Sequence, residues 1–549
     1  MKNFLTKSYY RYILLFTSFL IISSACFIGI SGERSDVKIT RNKTVKTEDD
    51  VSISYDVYEP KHNDSKKYGV IIGHGFTSSK ESMDLTALTL AKNDFVVITL
   101  DFRGHGRSGG TLDMGSSDNS EGLTKDILAV KTYLDKREDV IHHDYGIIGH
   151  SMGGRAAFSA CVKDDSFTTM AGIAPSIDHE FIEKDRPENL LIVSAEYDLL
   201  FPPEINRKVI SKRHDIDKDD VDYNKRYEDQ TTSKIKIIPN ADHQSVLWSS
   251  ETHKAIKRWF TESYNIDEEK NSTSTLNIYT IIGLISASSA FFTLVYLINK
   301  KRNKNDHTMI NTNKDHDFKE LSKKYFLYSF LFTIPGFLIF SPLFLLPPLF
   351  TSIYIAILSG SFLGTAYLLR KIAKENDHTL KDKIKRYLTS SRSDYIYGCV
   401  YGLSMLLIVK IFISDHYMNL TLIDSRFVYF IMTVVILFFF FSVDDIFFFD
   451  ILDTSKKASK LSSIKSIIVY SSYRSIYITV VMVALSLIAM DTTFMLPYAI
   501  GLFVTIGITS VLINRFTGSK KITAAAVSIL TASVLVSITA IFDPISMIL

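Results

Sequence analysis

The sequence has 549 residues, too many for one ordinary domain, and its 62 Lys and Arg nearly balance its 59 Asp and Glu. The formal net charge of +3 does not favour a nucleic-acid binder, and three widely separated cysteines exclude a disulfide framework or a cysteine-based metal site. The composition also excludes a disordered chain and a simple cytosolic enzyme, because long apolar runs flank a soluble-looking region.

The first of these runs covers residues 12–30 and follows three basic residues. This arrangement fits a cleaved signal peptide or an uncleaved signal anchor. The run is almost long enough to cross about 30 Å of hydrocarbon as a helix, and no A-x-A cleavage site ends it. We therefore interpret residues 1–30 as a retained signal-anchor transmembrane helix.

Between residues 31 and 275, strand and helix patterns alternate. The predicted strands are 51–58, 69–75, 95–101, 145–151, 167–174, 190–196 and 234–239, and the predicted helices lie near 80–93, 121–136, from 152, 204–213 and 245–262. The first strand alternates apolar and polar residues, as a half-buried antiparallel strand does. The βαβ series predicts a doubly wound, mostly parallel sheet, whose ligands bind beyond the carboxyl ends of the strands.

The central motif is Gly149-His150-Ser151-Met152-Gly153, directly between a predicted strand and a predicted helix. A serine on so sharp a turn is exposed at the end of the sheet, and the two glycines relieve crowding on either side of it. The motif therefore predicts that Ser151 is a catalytic nucleophile.

A serine nucleophile needs a base and a group that orients the base, and here Asp198 and His243 follow it in the order Ser, Asp, His. Each follows a predicted strand, so both lie at the edge of the sheet that carries Ser151. We expect His243 to exchange the proton and Asp198 to hold its ring. Glu196 and Asp242 are the rival acids, and Asp242 is too close to His243 in sequence to orient its ring easily.

Acyl transfer also needs N–H donors for the developing oxyanion, each worth about 2.7–4 kcal/mol. The residue after the nucleophile, Met152, supplies one backbone amide. The loop Gly73-His74-Gly75-Phe76 follows a strand at the same edge, and we expect the amide of Phe76 to be the second donor.

These motifs resemble those of the α/β-hydrolases. The matching segments fall in the family's order: GHGFTSS (73–79), DFRGHGRSGG (101–110), GHSMGG (149–154), EYDLLFPP (196–203) and NADH (240–243). Within the superfamily the region is most similar to serine hydrolases of the dienelactone-hydrolase or serine-aminopeptidase type, with serine in place of the cysteine of true dienelactone hydrolases. The resemblance covers about 45–262 and implies esterase, lipase, thioesterase or peptidase activity. In this pattern Arg103 and His105 shape a loop near the site.

The region lacks room for the large lid that many relatives carry, because only about 175–189 is available for it. We interpret the charged stretch 211–233 as a solvent-exposed insertion, not as a lid. The cleft is therefore expected to be open or closed by something else. Because predicted spans tether the domain at both ends, the membrane surface or the outer loops can lie near the cleft, which favours a lipid-borne or envelope-linked acyl substrate.

From residue 276 onward the sequence predicts an all-α membrane domain of about eight transmembrane helices. With the first run, the predicted spans are 12–30, 277–298, 325–346, 349–369, 395–414, 427–443, 467–490, 495–513 and 522–542. The basic loops 299–324 and 370–394, and those before 467 and 522, all fall on one side. The positive-inside rule therefore predicts a multi-pass protein of the cell membrane with a cytoplasmic N-terminus and an extracytoplasmic hydrolase domain.

The sequence as a whole predicts a membrane-bound serine hydrolase that cleaves an ester, thioester or amide bond, most readily as a carboxylesterase or lipase and alternatively as a peptidase. Its expected partners are the lipid bilayer and an acyl-containing substrate, with no nucleic acid, cofactor or metal. The alternative is a transporter or sensor whose outer domain binds a ligand without catalysis. A composition rich in Lys, Asn and Ile suits a bacterial membrane.

Overall fold

The chain forms two compact units. A computed structural model describes residues 2–61, 65–113, 120–178, 185–215, 232–267, 274–300, 317–340, 352–375, 391–420, 422, 425–452, 460–487 and 495–541. The unit that contains the sheet, called the hydrolase unit below, comprises 24–283, 410–421 and 537–549, and the helical unit comprises 1–23, 284–409 and 422–536.

The hydrolase unit is built on an eight-stranded sheet. Its strands are β1 Val37–Lys46, β2 Ser52–Pro60, β3 Lys67–Gly73, β4 Phe95–Leu100, β5 Val140–His150, β6 Phe167–Ile173, β7 Asn189–Ala195 and β8 Thr232–Ile238. The strand order is β1-β2-β4-β3-β5-β6-β7-β8. β2 runs antiparallel to β1 and β4, and the remaining neighbours are parallel.

Helices cover both faces of the sheet. They are α2 Asp84–Ala91, α3 Ser120–Asp135, α4 Met152–Lys163, α5 Pro203–His214 and α6 Ser250–Ser263, after α1 Lys2–Glu33 at the start of the chain. Side chains of α3, α4 and α5 belong to one apolar core, and those of α2 and α6 to the other. Strand β4 serves both cores, with Val96 and Ile98 in the first and Phe95 and Val97 in the second. Burial of both strand faces is what the continuous apolar runs in the sequence predict.

The expected doubly wound, mostly parallel sheet is confirmed. The seven predicted strands and five predicted helices are present within a few residues, whereas β1 was not predicted. Its sequence VKITRNKTVK loses the alternation of apolar and polar residues at a bulge between Thr40 and Lys43, where Asn42 has φ +58°. As an edge strand it also buries few side chains, which weakens its pattern further.

Most remaining helices are long and apolar. They are Ser274–Asn299, Phe318–Leu331, Thr333–Phe340, Ser352–Glu375, Arg392–Val409, Ser425–Ile446, Lys460–Ser486, Leu496–Thr517 and Lys520–Ser537. With α1, eight helices in the described part of the chain are long and apolar enough to cross a membrane. They coincide with eight of the nine predicted spans. The predicted span 325–346 covers the two shorter helices at 318–340, and its last residues lie outside the described ranges, so the count of nine stays a prediction.

Several buried charged side chains of the helical unit have partners among the residues that the structure describes. Arg474 contacts Asp444 at 2.6 Å, Lys520 contacts Asp450 at 3.0 Å, and the hydroxyl of Tyr470 donates to Asp445 at 2.7 Å. Since an isolated charge in an apolar environment is costly, these pairs explain how the segment DDIFFFD is accommodated.

The stability of the hydrolase unit should depend on pH through His253, a buried residue of α6 that donates from Nε2 to the carbonyl of Leu247 at 2.8 Å. Burial lowers the pKa of His253 to about 4. The unfolded chain, with a histidine pKa of about 6.5, takes up the proton more readily, so the free energy of unfolding should fall by about 2 kcal/mol from pH 7 to pH 5. His253→Gln should remove this share of the dependence.

Tryptophan fluorescence in a urea titration of the detergent-solubilised chain measures this effect, because the only two tryptophans, Trp248 and Trp259, both lie in the hydrolase unit. Exposed His142 provides the control, and His142→Gln should keep the wild-type slope of midpoint against pH. An unchanged slope in His253→Gln would contradict the assignment.

Candidate active site

Ser151 occupies a strained turn between the end of β5 and the start of α4. Its backbone angles are φ +52° and ψ −117°, a conformation that residues with a side chain rarely adopt. A Cβ added at Gly149 would collide with the carbonyl of Gly153, and one added at Gly153 would collide with the carbonyls of Gly73 and His74. The two glycines therefore allow the close approach of helix and strand that this turn requires.

The structure brings Ser151, His243 and Asp198 into one line of hydrogen bonds. Ser151 Oγ lies 3.0 Å from His243 Nε2, and His243 Nδ1 lies 2.8 Å from Asp198 Oδ2. The second carboxylate oxygen, Asp198 Oδ1, accepts the backbone N–H groups of Leu200 and Phe201, each at 2.9 Å. All three side chains are more than nine-tenths buried, so their mutual hydrogen bonds face little competition from water.

The two rival acids are engaged elsewhere. Glu196 accepts the backbone N–H of Asn240 at 2.8 Å, and Asp242 Oδ1 accepts those of Gln244 and Ser245 at 3.1 and 2.7 Å. Asp242 therefore caps the turn that follows His243. Of the three carboxylates, Asp198 is the one hydrogen-bonded to the imidazole.

His150, which precedes Ser151, is hydrogen-bonded to the backbone of His243. Its Nε2 donates to the carbonyl of His243 at 3.0 Å, and the two rings lie 5.0 Å apart. Burial lowers the pKa of His150 to about 3, so the ring is neutral at physiological pH and no second positive charge competes with that of a protonated His243. Sequence reasoning assigned no role to His150, because its partner is a backbone group.

The loop after β3 lies directly against Ser151. A Cβ added at Gly75 would lie 3.3 Å from Ser151 Cβ and 2.5 Å from His150 Nδ1. His74 fixes this loop: the backbone N–H of Phe102 donates to its Nε2 at 3.1 Å, and its Nδ1 donates to the carbonyl of Gly75 at 2.7 Å. Burial lowers the pKa of His74, which favours this neutral tautomer.

His74 thereby orients the peptide plane that carries the amide of Phe76. The carbonyl of Gly75 and the N–H of Phe76 belong to one planar trans peptide and point in opposite directions. The side chains of Phe76 and Met152 are partly buried against the same core. The loop that contains Phe76 and the first residue of α4 thus flank Ser151, while the role of their amides stays a prediction.

Arg103 ties the loop after β4 to its surroundings. It contacts Asp49 at 2.7 Å and Asp126 at 2.7 Å, and its backbone N–H also donates to Asp126. Burial raises the pKa of Asp126 to about 6, and the guanidinium of Arg103 opposes this effect. These contacts agree with a loop-shaping role. No cluster of His, Cys, Asp or Glu that would hold a metal ion occurs among the residues described.

A sheet in this strand order, with a serine on a strained strand-to-helix turn and a histidine and an aspartate at the same edge, defines the α/β-hydrolase class. Residues 64–217 match the family model described as serine aminopeptidase, S33. The part of this chain that forms the sheet is therefore an α/β-hydrolase, joined to a large helical region.

Among curated proteins, the chain is similar to a bis(hydroxyethyl) terephthalate hydrolase of Streptomyces coelicolor. The two are 29% identical over 152 residues, which is 27% of this chain and 45% of the relative. The match thus spans less than half of that protein's length.

Two solved structures illustrate the similarity at the level of structure. Est1E of Butyrivibrio proteoclasticus with bound ferulic acid is 20% identical with a TM-score of 0.32, over 41% of this chain and 99% of that chain. A CIB-like hydrolase of Thermoplasma acidophilum is 15% identical with a TM-score of 0.32, over 42% of this chain and 100% of that chain.

Replacing the carboxylate that contacts His243 should slow the reaction of Ser151 with a fluorophosphonate. In Asp198→Asn the hydrogen bond no longer selects the tautomer that accepts the serine proton, so the labelling rate constant should fall on the order of 10³–10⁴-fold. Glu196→Gln is the matched control, because its side-chain carbonyl still accepts the N–H of Asn240, and it should keep the wild-type rate within about threefold. Equal rates in the two variants would contradict the role of Asp198.

Proposed function

We propose that this chain is a membrane-bound serine hydrolase that cleaves an acyl bond through an acyl-enzyme. The observation that carries the proposal is the continuous line of hydrogen bonds from Ser151 through His243 to Asp198. Neutral His243 takes the proton of Ser151 at Nε2 as Oγ attacks the acyl carbon. It then gives that proton to the leaving group. A water molecule then attacks the acyl-enzyme while His243 takes its proton. His243 returns that proton to Ser151 Oγ, and the carboxylic acid is released.

Asp198 keeps the proton of His243 on Nδ1 and stabilises the imidazolium that forms during each step. Its own position is fixed by the amides of Leu200 and Phe201. The amides of Phe76 and Met152 are proposed to bind the oxyanion, and Met152 lies at the N-terminus of α4, where the helix dipole favours negative charge. The orientation that His74 imposes on the Gly75–Phe76 peptide supports this assignment.

The strained backbone of Ser151 distinguishes catalysis from ligand binding alone. A residue in this conformation costs on the order of 1–3 kcal/mol, and a binding domain gains nothing from it. A reactive serine does gain, because the turn presents Oγ to His243 and to the N-terminus of a helix at once. This favours the hydrolase over a transporter or sensor with an inactive outer domain.

We further propose that the substrate is an ester borne by a lipid or by another component of the cell envelope. Support for ester cleavage comes from the terephthalate-ester hydrolase that the chain resembles. Support for an envelope substrate comes from the candidate spans that precede and follow the domain in the chain. Thioesters and amides are the alternative acyl substrates, since the same serine chemistry cleaves them.

The proposed orientation places the N-terminus in the cytoplasm and the hydrolase domain outside, in a bacterial cytoplasmic membrane. The make-up of the hydrolase unit supports it. The segments 410–421 and 537–541 belong to this unit, and both include the end of a predicted span that the positive-inside rule assigns to the exterior. The basic loops assigned to the interior do not belong to it.

Labelling of intact cells with a membrane-impermeant fluorophosphonate tests catalysis and orientation together. Wild type should be labelled, and Ser151→Ala should not, because the phosphorus atom needs the Oγ nucleophile. Labelling that appears only after lysis would retain the hydrolase and reverse the orientation. A wild type that stays unlabelled both before and after lysis would contradict the hydrolase and favour the binding alternative.

The substrate proposal predicts a preference for esters presented in a membrane. The purified chain should hydrolyse a long-chain ester embedded in phospholipid vesicles with a higher kcat/KM than p-nitrophenyl acetate in solution, since lipid partitioning raises the local substrate concentration. Ser151→Ala corrects for background hydrolysis in both assays. A preference for the soluble ester would exclude the lipid-borne substrate and leave the serine hydrolase intact.

A further inference from the structure

Two segments of the hydrolase unit come from far beyond the hydrolase sequence. Residues 410–421 comprise the end of the candidate span Arg392–Ser414 and the residues after it, and residues 537–541 begin at the last residue of the helix Lys520–Ser537. Here they are called the mid-chain segment and the C-terminal segment. The mid-chain segment contacts the loop after β3, which borders Ser151, and the C-terminal segment contacts the loop after β4, which is hydrogen-bonded to that first loop.

The mid-chain segment contacts the loop between β3 and α2, which carries Phe76. The backbone N–H of Asn419 donates to the hydroxyl of Ser79 at 3.0 Å. Ser79 is 1% exposed, so this hydrogen bond lies in the interior of the unit. Tyr417 packs edge-on against Trp248 at 5.6 Å and lies beside Asn277, which anchors the same segment at a second place.

A buried carboxylate fixes the mid-chain segment at a third place. Asp84, at the start of α2, is fully buried and lies 3.1 Å from Nδ1 of His416. It also contacts Arg34 and accepts the hydroxyl of Tyr58 at 2.7 Å. Burial alone would raise the pKa of Asp84, but the surrounding cations, Arg34 first, outweigh it and hold that pKa below its usual range. Because the carboxylate of Asp84 is fully buried, it depends on its partners. Removing His416 or Arg34 would leave part of its negative charge without a compensating contact.

The C-terminal segment contacts the loop after β4. Ile541 donates its backbone N–H to the carbonyl of Gly104 at 2.8 Å and accepts the N–H of Leu112 at 2.9 Å. Gly104 has φ +72°, and a Cβ added there would lie 2.5 Å from the carbonyl oxygen of Ile541. Ala540 is fully buried in the core that also contains Phe102. The loop is thus shaped to receive this segment.

A chain of contacts links the C-terminal segment to the nucleophile. Gly104 lies two residues after Phe102, whose amide donates to His74, and His74 holds the carbonyl of Gly75 beside Ser151. The mid-chain segment reaches the same loop through Ser79. The loop that borders Ser151 and the loop after β4 that supports it are therefore both fixed by residues beyond the hydrolase sequence.

We propose that the mid-chain and C-terminal segments are positioning elements of the active site, so that the segments between and after the membrane helices complete the catalytic domain. This inference rests on the proposed serine hydrolase activity. The residues assigned to it are Ser79, Asn419 and Ile541. None of them touches the reacting atoms; they act by fixing the loop whose Phe76 amide is the proposed oxyanion donor.

Full-length variants test the proposal through the rate of fluorophosphonate labelling. Ile541→Pro removes the N–H that Gly104 accepts, and Ile541→Ala keeps it. Ser79→Ala removes the oxygen that accepts the Asn419 amide. Its control is Ser78→Ala, since the Ser78 hydroxyl bonds instead to Ser82 at 2.8 Å. Ile541→Pro and Ser79→Ala should each label at least about tenfold more slowly, and each control should stay within about twofold of wild type.

The extent of labelling separates positioning from misfolding. A displaced loop lowers the rate constant while every molecule is still labelled in the end, whereas unfolding lowers the final labelled fraction. Hydrolysis of p-nitrophenyl acetate should show a reduced kcat with little change in KM, as expected when an interaction made in the transition state is lost.

The outcomes also separate this inference from the proposed function. A wild-type chain that is not labelled contradicts both. A labelled wild type whose Ile541→Pro and Ser79→Ala variants match their controls overturns the positioning role and leaves the hydrolase standing. If Ile541→Pro fails to fold, Ser79→Ala decides, and its wild-type rate at full labelling would overturn the proposal.

Discussion

The structure depends on one strained residue. Ser151 keeps a positive φ because its backbone is held on both sides: its N–H donates to the carbonyl of Ile173, and its carbonyl accepts the N–H of Ser176. β5 is paired with β3 and β6 and cannot give way. The strain is thus balanced by the parallel sheet, and the sheet in turn requires glycines where α4 approaches it most closely. A looser scaffold would let the serine relax and would separate Oγ from His243.

Neutral histidines extend this rigidity into the loops. His150 and His74 each donate to a backbone carbonyl, and burial lowers the pKa of both. A lysine or arginine in either place would add a permanent charge beside the imidazolium of the proposed reaction. A buried neutral imidazole supplies a directional donor without that cost. The backbone around Ser151 is therefore fixed by neutral groups, and Asp198 is the charged group that is hydrogen-bonded to His243.

The sequence was informative wherever the physical signal is local. Alternating or continuous apolar patterns predicted the positions of seven strands, and the spacing of glycines around Ser151 predicted the turn. Asp198 and His243 were found because parallel strands end at one edge. Prediction from the sequence failed for β1, whose pattern is interrupted by a bulge and is largely polar. It also failed for contacts with distant residues or with backbone atoms, such as the hydrogen bond from His150 to a carbonyl. The contact of Asp84 with His416 joins parts of the chain that no periodicity connects. Likewise, the distribution of basic residues predicted on which side of the membrane a loop lies, but it did not predict that residues 410–421 belong to the hydrolase unit.

The two backbone hydrogen bonds of Ile541 have a consequence for the order in which parts of the protein are synthesised and fold. Its two hydrogen bonds join residues near 104 and 112 to one that the ribosome adds more than 400 positions later. At about 5–20 residues per second, the hydrolase sequence is complete on the order of ten seconds or more before Ile541 exists. During that interval the sheet can form, but the loop after β4 lacks its last partner. If the C-terminal segment has the proposed positioning role, the nascent domain reaches its final geometry only after the helix Lys520–Ser537 has been synthesised.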